Sequence, residues 1–198
     1  SLQRQLPTIR SRCQTILFRR LANEELCSLI MRQQIVATRE EASQLAAASH
    51  GSISEAAQLS DPELAEFRHW LWSELCKRPV NFMELSKHCS AQADAAGKEG
   101  RLKRERLKWI FRFAASFYRN LVLLQIDQSK GTDRFRTDRD DRLATISADT
   151  LRTWTAGLSG AIACWQTCLV SIEYVDRNVN QTSLLQAWST RIAEQSDR

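Results

Sequence analysis

From Ile110 to Leu124 the apolar side chains Ile110, Phe113, Ala114, Phe117, Leu121 and Leu124 return at three- and four-residue steps, and no Gly or Pro falls between Arg101 and Asp127. This is the period of one helix face, and it predicts a single long helix over about 101–127. Such a helix needs neighbours to cover its apolar stripe. The rest of the chain follows the same rule. Six Gly and three Pro in 198 residues leave few breaks, and the turn clusters that strands require at short intervals are missing. The expected fold class is all-α.

Helix starts are written in cap residues. Asn23 is a candidate cap before Glu24 and Glu25, with Leu26, Leu29 and Ile30 on one face. Thr38 and Glu41 have capping-box spacing, in which hydroxyl and carboxylate satisfy each other's orphan N–H groups. Ala42, Leu45 and Ala46 then face inward until Gly51 stops the helix, and Ser52 with Glu55 repeats the device. Asp61-Pro62-Glu63 combines a cap with Pro at the first helical position, ahead of the stripe Leu64, Phe67, Leu71 and Leu75. The domain boundary is placed there. Pro79 closes that helix. Further helices are expected over about 80–95 (Val80, Met83, Leu85, Cys89), 148–173 (Leu151, Trp154, Leu158, Ile162, Trp165, Leu169) and 180–194 (Leu184, Leu185, Trp188, Ile192). Residues 128–147, rich in Lys, Arg and Asp, read as a solvated loop. The expected architecture is a three-helix domain over 15–61, then a bundle of about five helices over 62–198. Residues 1–14 have no helical period and read as the tail of a larger domain.

Hydrophobic content of 43% with 26% charged residues is ordinary for a globular protein. No run approaches the roughly 20 apolar residues of a bilayer span, and no basic segment precedes an apolar one as in a secretion signal. No membrane partner is therefore expected. The six Cys (13, 27, 76, 89, 164, 168) lie inside apolar helical patterns, which favours reduced thiols and a cytoplasmic protein. A net charge of +5 is compatible with nucleic acid nearby and is weak evidence for direct binding.

One run carries more specific information. Leu6-Pro7-Thr8-Ile9-Arg10-Ser11-Arg12-Cys13-Gln14 resembles the Ser-Arg-Cys motif of clamp-loader ATPase subunits, where it closes the ATPase domain and leads into a helical lid. The order that follows, Glu24-Glu25-Leu26, Glu41-Ala42 and Gly51-Ser52-Ile53-Ser54-Glu55-Ala56, is similar to that lid. Ala95-Ala96-Gly97-Lys98-Glu99 and Asp176-Arg177-Asn178-Val179-Asn180-Gln181 resemble the helical collar of the delta-prime subunits of bacterial DNA polymerase III. The resemblance implies an AAA+ lid over 15–61 and an oligomerisation collar over 62–198.

It also implies roles. Arg12 would be an arginine finger acting in trans on a neighbour's ATP, with Ser11 and Cys13 shaping the turn that aims it. A planar guanidinium stabilises the charge of phosphoryl transfer, a contribution on the order of 10³–10⁵ in rate, and Lys lacks the rigid fork of donors. ATP-binding relatives usually carry an arginine after the Gly-Ser-any sequence as a second nucleotide sensor. Ser54 stands there and offers no charged donor to a phosphate. The resemblance therefore implies a non-catalytic subunit without a cofactor of its own, ATP and Mg²⁺ being held by neighbours. Its partners would be the gamma/tau and delta subunits and, through the assembly, the sliding clamp and primer–template DNA. The alternatives are an ATP-binding subunit of the gamma/tau kind, a helical nucleic-acid-binding domain, and a plain scaffold in an unrelated helical assembly.

Other residue groups have more ordinary readings. Cys164 and Cys168 lie one turn apart and His88 adjoins Cys89, but a zinc site needs about four converging ligands. Buried apolar thiols are expected and no metal. His50 and His69 lack partners at catalytic spacing. Lys98, Arg101, Lys103, Arg104, Arg106 and Lys108 alternate with Glu99 and Glu105, as on a solvated helix face. Six Trp exceed the needs of a small helical core, and Trp is enriched at interfaces. Trp70 and Trp72 cannot share one helix face, so one of them is a candidate contact residue.

Overall fold

Five side chains open five helices by the same device. Thr38 Oγ1 accepts from the Glu41 N–H at 3.2 Å, Ser52 Oγ from Glu55 at 3.3 Å, and Asp61 Oδ1 from Glu63 at 3.0 Å. Asn81 Oδ1 accepts from Glu84 at 3.1 Å and Asn180 Oδ1 from Ser183 at 3.0 Å. Each bond satisfies an N–H that the first helical turn leaves without a partner.

The structure is a computed structural model describing residues 8, 12–14, 16, 19–49, 51–130 and 141–197, with helix and no strand among them. The fold is all-α. Its helices are α1 (Asn23–Arg32), α2 (Arg39–Ala48), α3 (Ile53–Leu59), α4 (Pro62–Cys76), α5 (Phe82–Ala95), α6 (Gly100–Lys130), α7 (Asp141–Thr153), α8 (Gly157–Asp176) and α9 (Gln181–Ser196). The chain divides into two compact units, Ser1–Ser60 and Asp61–Arg198.

In the first unit, α1, α2 and α3 pack together around Leu26, Ile30, Ala42, Ala46 and Ala56, all fully buried. Three alanines in five positions let the helices approach closely. Asn23 is the first helical residue, and Ala22 occupies the cap position without an acceptor. Glu25 compensates: its Oε2 accepts from the Ala22 N–H at 2.9 Å, and Arg19 grips the carboxylate through 2.5 and 2.8 Å bonds. The Arg19 hydrogen bond, seconded by the Ala22 N–H, lowers the Glu25 pKa to about 2.

In the second unit, α6 packs against α4, α5, α7 and α8, while α9 packs on α5 and α8. The stripe read from sequence is buried from Ile110 to Leu121, and Leu124 is half-buried. Trp109, Phe111 and Tyr118 on other sides of α6 are buried too, because neighbours surround it. Leu64, Phe67, Leu71 and Leu75 line the inward side of α4 as expected.

Several expectations need correction. Residues 141–147, assigned to a loop, are the first turns of α7, and residues 128–130 belong to α6; residues 131–140 lie outside the described residues. The single helix expected over 148–173 is two helices. Gly157 adopts φ +61°, a left-handed conformation that interrupts a helical path and is free of steric cost only for glycine. Trp154 holds the corner by donating from Nε1 to the Gly157 carbonyl at 2.7 Å. The second unit therefore contains six helices among the described residues. Finally, Met83 is 71% exposed, and Leu158 and Leu169 are 40% and 44% exposed. The buried side of α8 is instead Ala161, Cys164, Cys168, Ser171 and Val175. By length and composition α8 is apolar enough to cross a bilayer, contrary to the expectation from sequence; its buried side packs on α6 and α9.

Candidate functional site

Arg12 lies on a turn and Cys13 on the following bend, both exposed, whereas Ser11 lies outside the described residues. The Arg12 side chain is exposed to solvent. Further along the chain, the Leu21 N–H donates to the Gly51 carbonyl at 3.3 Å. Gly51 is fixed in identity by that contact. Its φ is +80°, and a Cβ there would lie 2.7 Å from the Leu21 carbonyl oxygen and 2.8 Å from Arg20 Cβ. Immediately after it, Ser52 caps α3 and places Ser54 on the exposed side of the first turn. A serine at that place presents a neutral hydroxyl to solvent. Gly51, Ser52 and Ser54 thus form one local construction, in which glycine permits the turn and serine ends it.

The two tryptophans of α4 separate as their spacing requires. Trp72 is 2% exposed and its Nε1 donates to the Phe113 carbonyl at 2.9 Å. Burial of both ends of the indole removes Trp72 as a contact candidate. Trp70 is half-buried and stacks on His88, ring centroids 4.6 Å apart. It remains the accessible member of the pair.

A larger apolar surface was misread from the sequence. Leu158, Ile162, Trp165 and Leu169 form a true helical stripe, but the core takes the adjacent stripe instead. Leu158 and Leu169 are exposed, while Ile162 and Trp165 are half-buried. From Gly157 to Ile172 the helix has no charged residue. Two apolar stripes on one helix leave the sequence without a signal for which is covered, since periodicity reports direction and not occupancy.

The basic run at the start of α6 is partly consumed within the unit. Lys103 pairs with Asp94 at 2.6 Å, Lys108 with Asp176 at 2.8 Å and Glu105 at 3.2 Å, and Arg106 with Asp61 at 3.4 Å. Lys98, Arg101 and Arg104 are exposed. This alternation of paired and solvated cations has no aromatic platform for base stacking.

Burial governs the thiols. Cys89, Cys164 and Cys168 are fully buried, and desolvation raises all three above the usual thiol range, Cys164 to about 11. They are apolar core groups, as expected. No cluster of three or more His, Cys, Asp or Glu suited to a metal occurs among the described residues. His69 lies against Trp72, centroids 5.9 Å apart, and His50 lies outside the described residues.

Comparison of the chain with protein-family models, with curated proteins and with solved structures gives no match.

Proposed function

We propose that this chain is the lid and collar part of a bacterial clamp-loader subunit of the delta-prime kind. The observation that carries the reading is the run Leu6–Gln14, with Arg12 exposed on a turn ahead of a compact three-helix unit. Its guanidinium would enter the ATP site of the adjacent subunit and stabilise the charge that spreads over the transferred phosphoryl group. Hydrolysis would then depend on correct assembly of the ring, because the catalytic arginine and the nucleotide reside on different chains. The exposed neutral Ser54 supports a subunit that lends a residue and does not read a nucleotide itself. ATP and Mg²⁺ would be held by neighbours of the gamma/tau kind, in the cytoplasm, during loading of a sliding clamp onto primed DNA.

The second unit would act as the collar. Beyond its own core it presents the uncharged stripe Leu158, Ile162, Trp165 and Leu169, together with the half-buried Trp70. Such surfaces suit packing against helical domains of other subunits.

The test is ATP turnover by a clamp loader reconstituted with the protein that carries this chain, in the presence of clamp and primed DNA, against its Arg12→Ala variant. Assembly is checked by gel filtration in both. Intact assembly with turnover reduced at least about tenfold is expected; unchanged turnover in an intact ring refutes the finger.

A further inference from the structure

A groove of about 710 Å³ lies in the second unit between the loop that leads into α5 and the last turns of α9. Val80 and Ala193 are buried beneath it, and Phe82 and Met83, at 43% and 71% exposed, stand along one wall. A flexible thioether beside an aromatic ring makes a surface that adapts to different apolar side chains. Met83 is also the most exposed of the large apolar residues described.

The opposite wall is acidic. Glu194 and Asp197 line it, both exposed and neither in an ion pair among the described residues. The last turn of α9 carries no basic residue, so the partial negative charge of the helix C-terminus adds to theirs. Among the described residues, two cations that precede α5 make contacts of their own. Lys77 pairs with Glu74 at 2.5 Å, and Arg78 donates to the Leu75 and Lys77 carbonyls at 2.8 and 2.7 Å while its guanidinium lies 4.6 Å from the centre of the Trp154 ring. Arg191, exposed on α9 one turn before Glu194, is not among the residues that line the groove. In a chain of net charge +5, an apolar groove with an acidic wall is a local reversal of sign.

We infer that this groove receives a peptide segment of a partner protein that presents a large apolar side chain flanked by Lys or Arg. The apolar group would lie on Phe82 and Met83 while the cation meets Glu194, Asp197 and the carbonyl end of α9. Phosphate-bearing partners such as nucleic acid or an anionic lipid surface have the wrong charge for this wall.

The inference is tested on the whole chain by fluorescence anisotropy with three labelled peptides of roughly twelve residues. One has a Leu-Phe centre with Lys-Arg flanks, one the same centre with Glu-Asp flanks, and one a Ser-Ser centre with Lys-Arg flanks. The first is expected to bind at least about tenfold more tightly than either other. Met83→Ser, on a side chain too exposed to support the core, should weaken it about fivefold or more, and Glu194→Lys with Asp197→Lys should reverse the preference for basic flanks. Circular dichroism confirms that the variants fold. No binding of the first peptide at about 1 mM, equal binding of all three, or variants that bind like the parent overturn the inference. So does self-association of the chain that Met83→Ser abolishes, which would give the groove to a second copy.

Discussion

The indole N–H of Trp72 donates to the main-chain carbonyl of Phe113 at 2.9 Å, joining α4 to α6 inside the second unit. Above the indole, the Arg68 guanidinium lies 5.1 Å from the ring centre. Trp72→Phe would remove the donor and part of the ring. A loss of about 2–3 kcal/mol is expected from the missing bond and the residual cavity. Trp70→Ala, on the half-buried neighbour, should cost about half as much. Urea denaturation followed by circular dichroism measures both, and equal losses would contradict the assigned burial.

Asp61 does two jobs, capping α4 and accepting from Arg106 at 3.4 Å. Asp61→Ala abolishes both and should destabilise the second unit by about 1–2 kcal/mol. Asp61→Asn keeps an acceptor for the helix N–H groups, so most of the stability should return. A deficit in the Asn variant as large as in the Ala variant would mean that the charge, and not the cap, matters here.

Gly51→Ala places a methyl group where the Leu21 carbonyl and Arg20 already lie, at a φ of +80° that other residues resist. The first unit should lose about 1–3 kcal/mol. Hydrogen exchange is the appropriate readout, with faster exchange in α1, α2 and α3 and unaltered protection in α6 and α8.

Alkaline stability follows from the buried thiols. Desolvation raises Cys164 from 9.0 to about 11, and it raises Cys89, Cys168 and Tyr118 as well. Above pH 9 the unfolded chain sheds thiol protons that the folded chain retains, so stability falls with rising pH. For Cys164 the contribution is whole below pH 9 and is lost as pH rises toward about 11. Cys164→Ala should make the decline of denaturation midpoint over that window shallower by up to one proton. In the native state at pH 8, iodoacetamide should label exposed Cys13 first, and the three buried thiols only after denaturation, as peptide mass spectrometry would resolve.

The uncharged stripe of α8 predicts a dissociation of stability from assembly. Leu169→Glu changes a side chain that is 44% exposed and should shift unfolding by no more than about 0.5 kcal/mol. If the second unit is a collar, the same change should expel the chain from the reconstituted ring in gel filtration. A variant that co-elutes with its partners would take this face out of the assembly.

Cap residues were the most legible part of the fold, because Thr38, Ser52 and Asp61 act on N–H groups two or three residues away and need no tertiary information. The α6 stripe was legible for a related reason: with neighbours on several sides, its apolar pattern had little chance to face solvent. In α8 the periodicity was equally clear and misled, since two stripes competed and the core took Ala161, Cys164 and Cys168 while leaving Leu158 and Leu169 outside. The break at Gly157 was hidden by a pattern that continues through Trp154 and Leu158. Similarly, Trp70 and Trp72 could be told apart as a pair, but the Phe113 carbonyl that claims Trp72 belongs to a distant stretch of sequence. The groove beside Phe82 and Met83 left no local trace, because α9 supplies its acidic wall.

The bond from Leu21 to Gly51 pinches the chain into an eyelet that encloses α1 and α2. A pull at Leu21 would load Gly51 and α3 through this bond as well as α1 along the backbone. The first unit thus holds Leu21 twice, through the backbone that enters α1 and through the bond to Gly51.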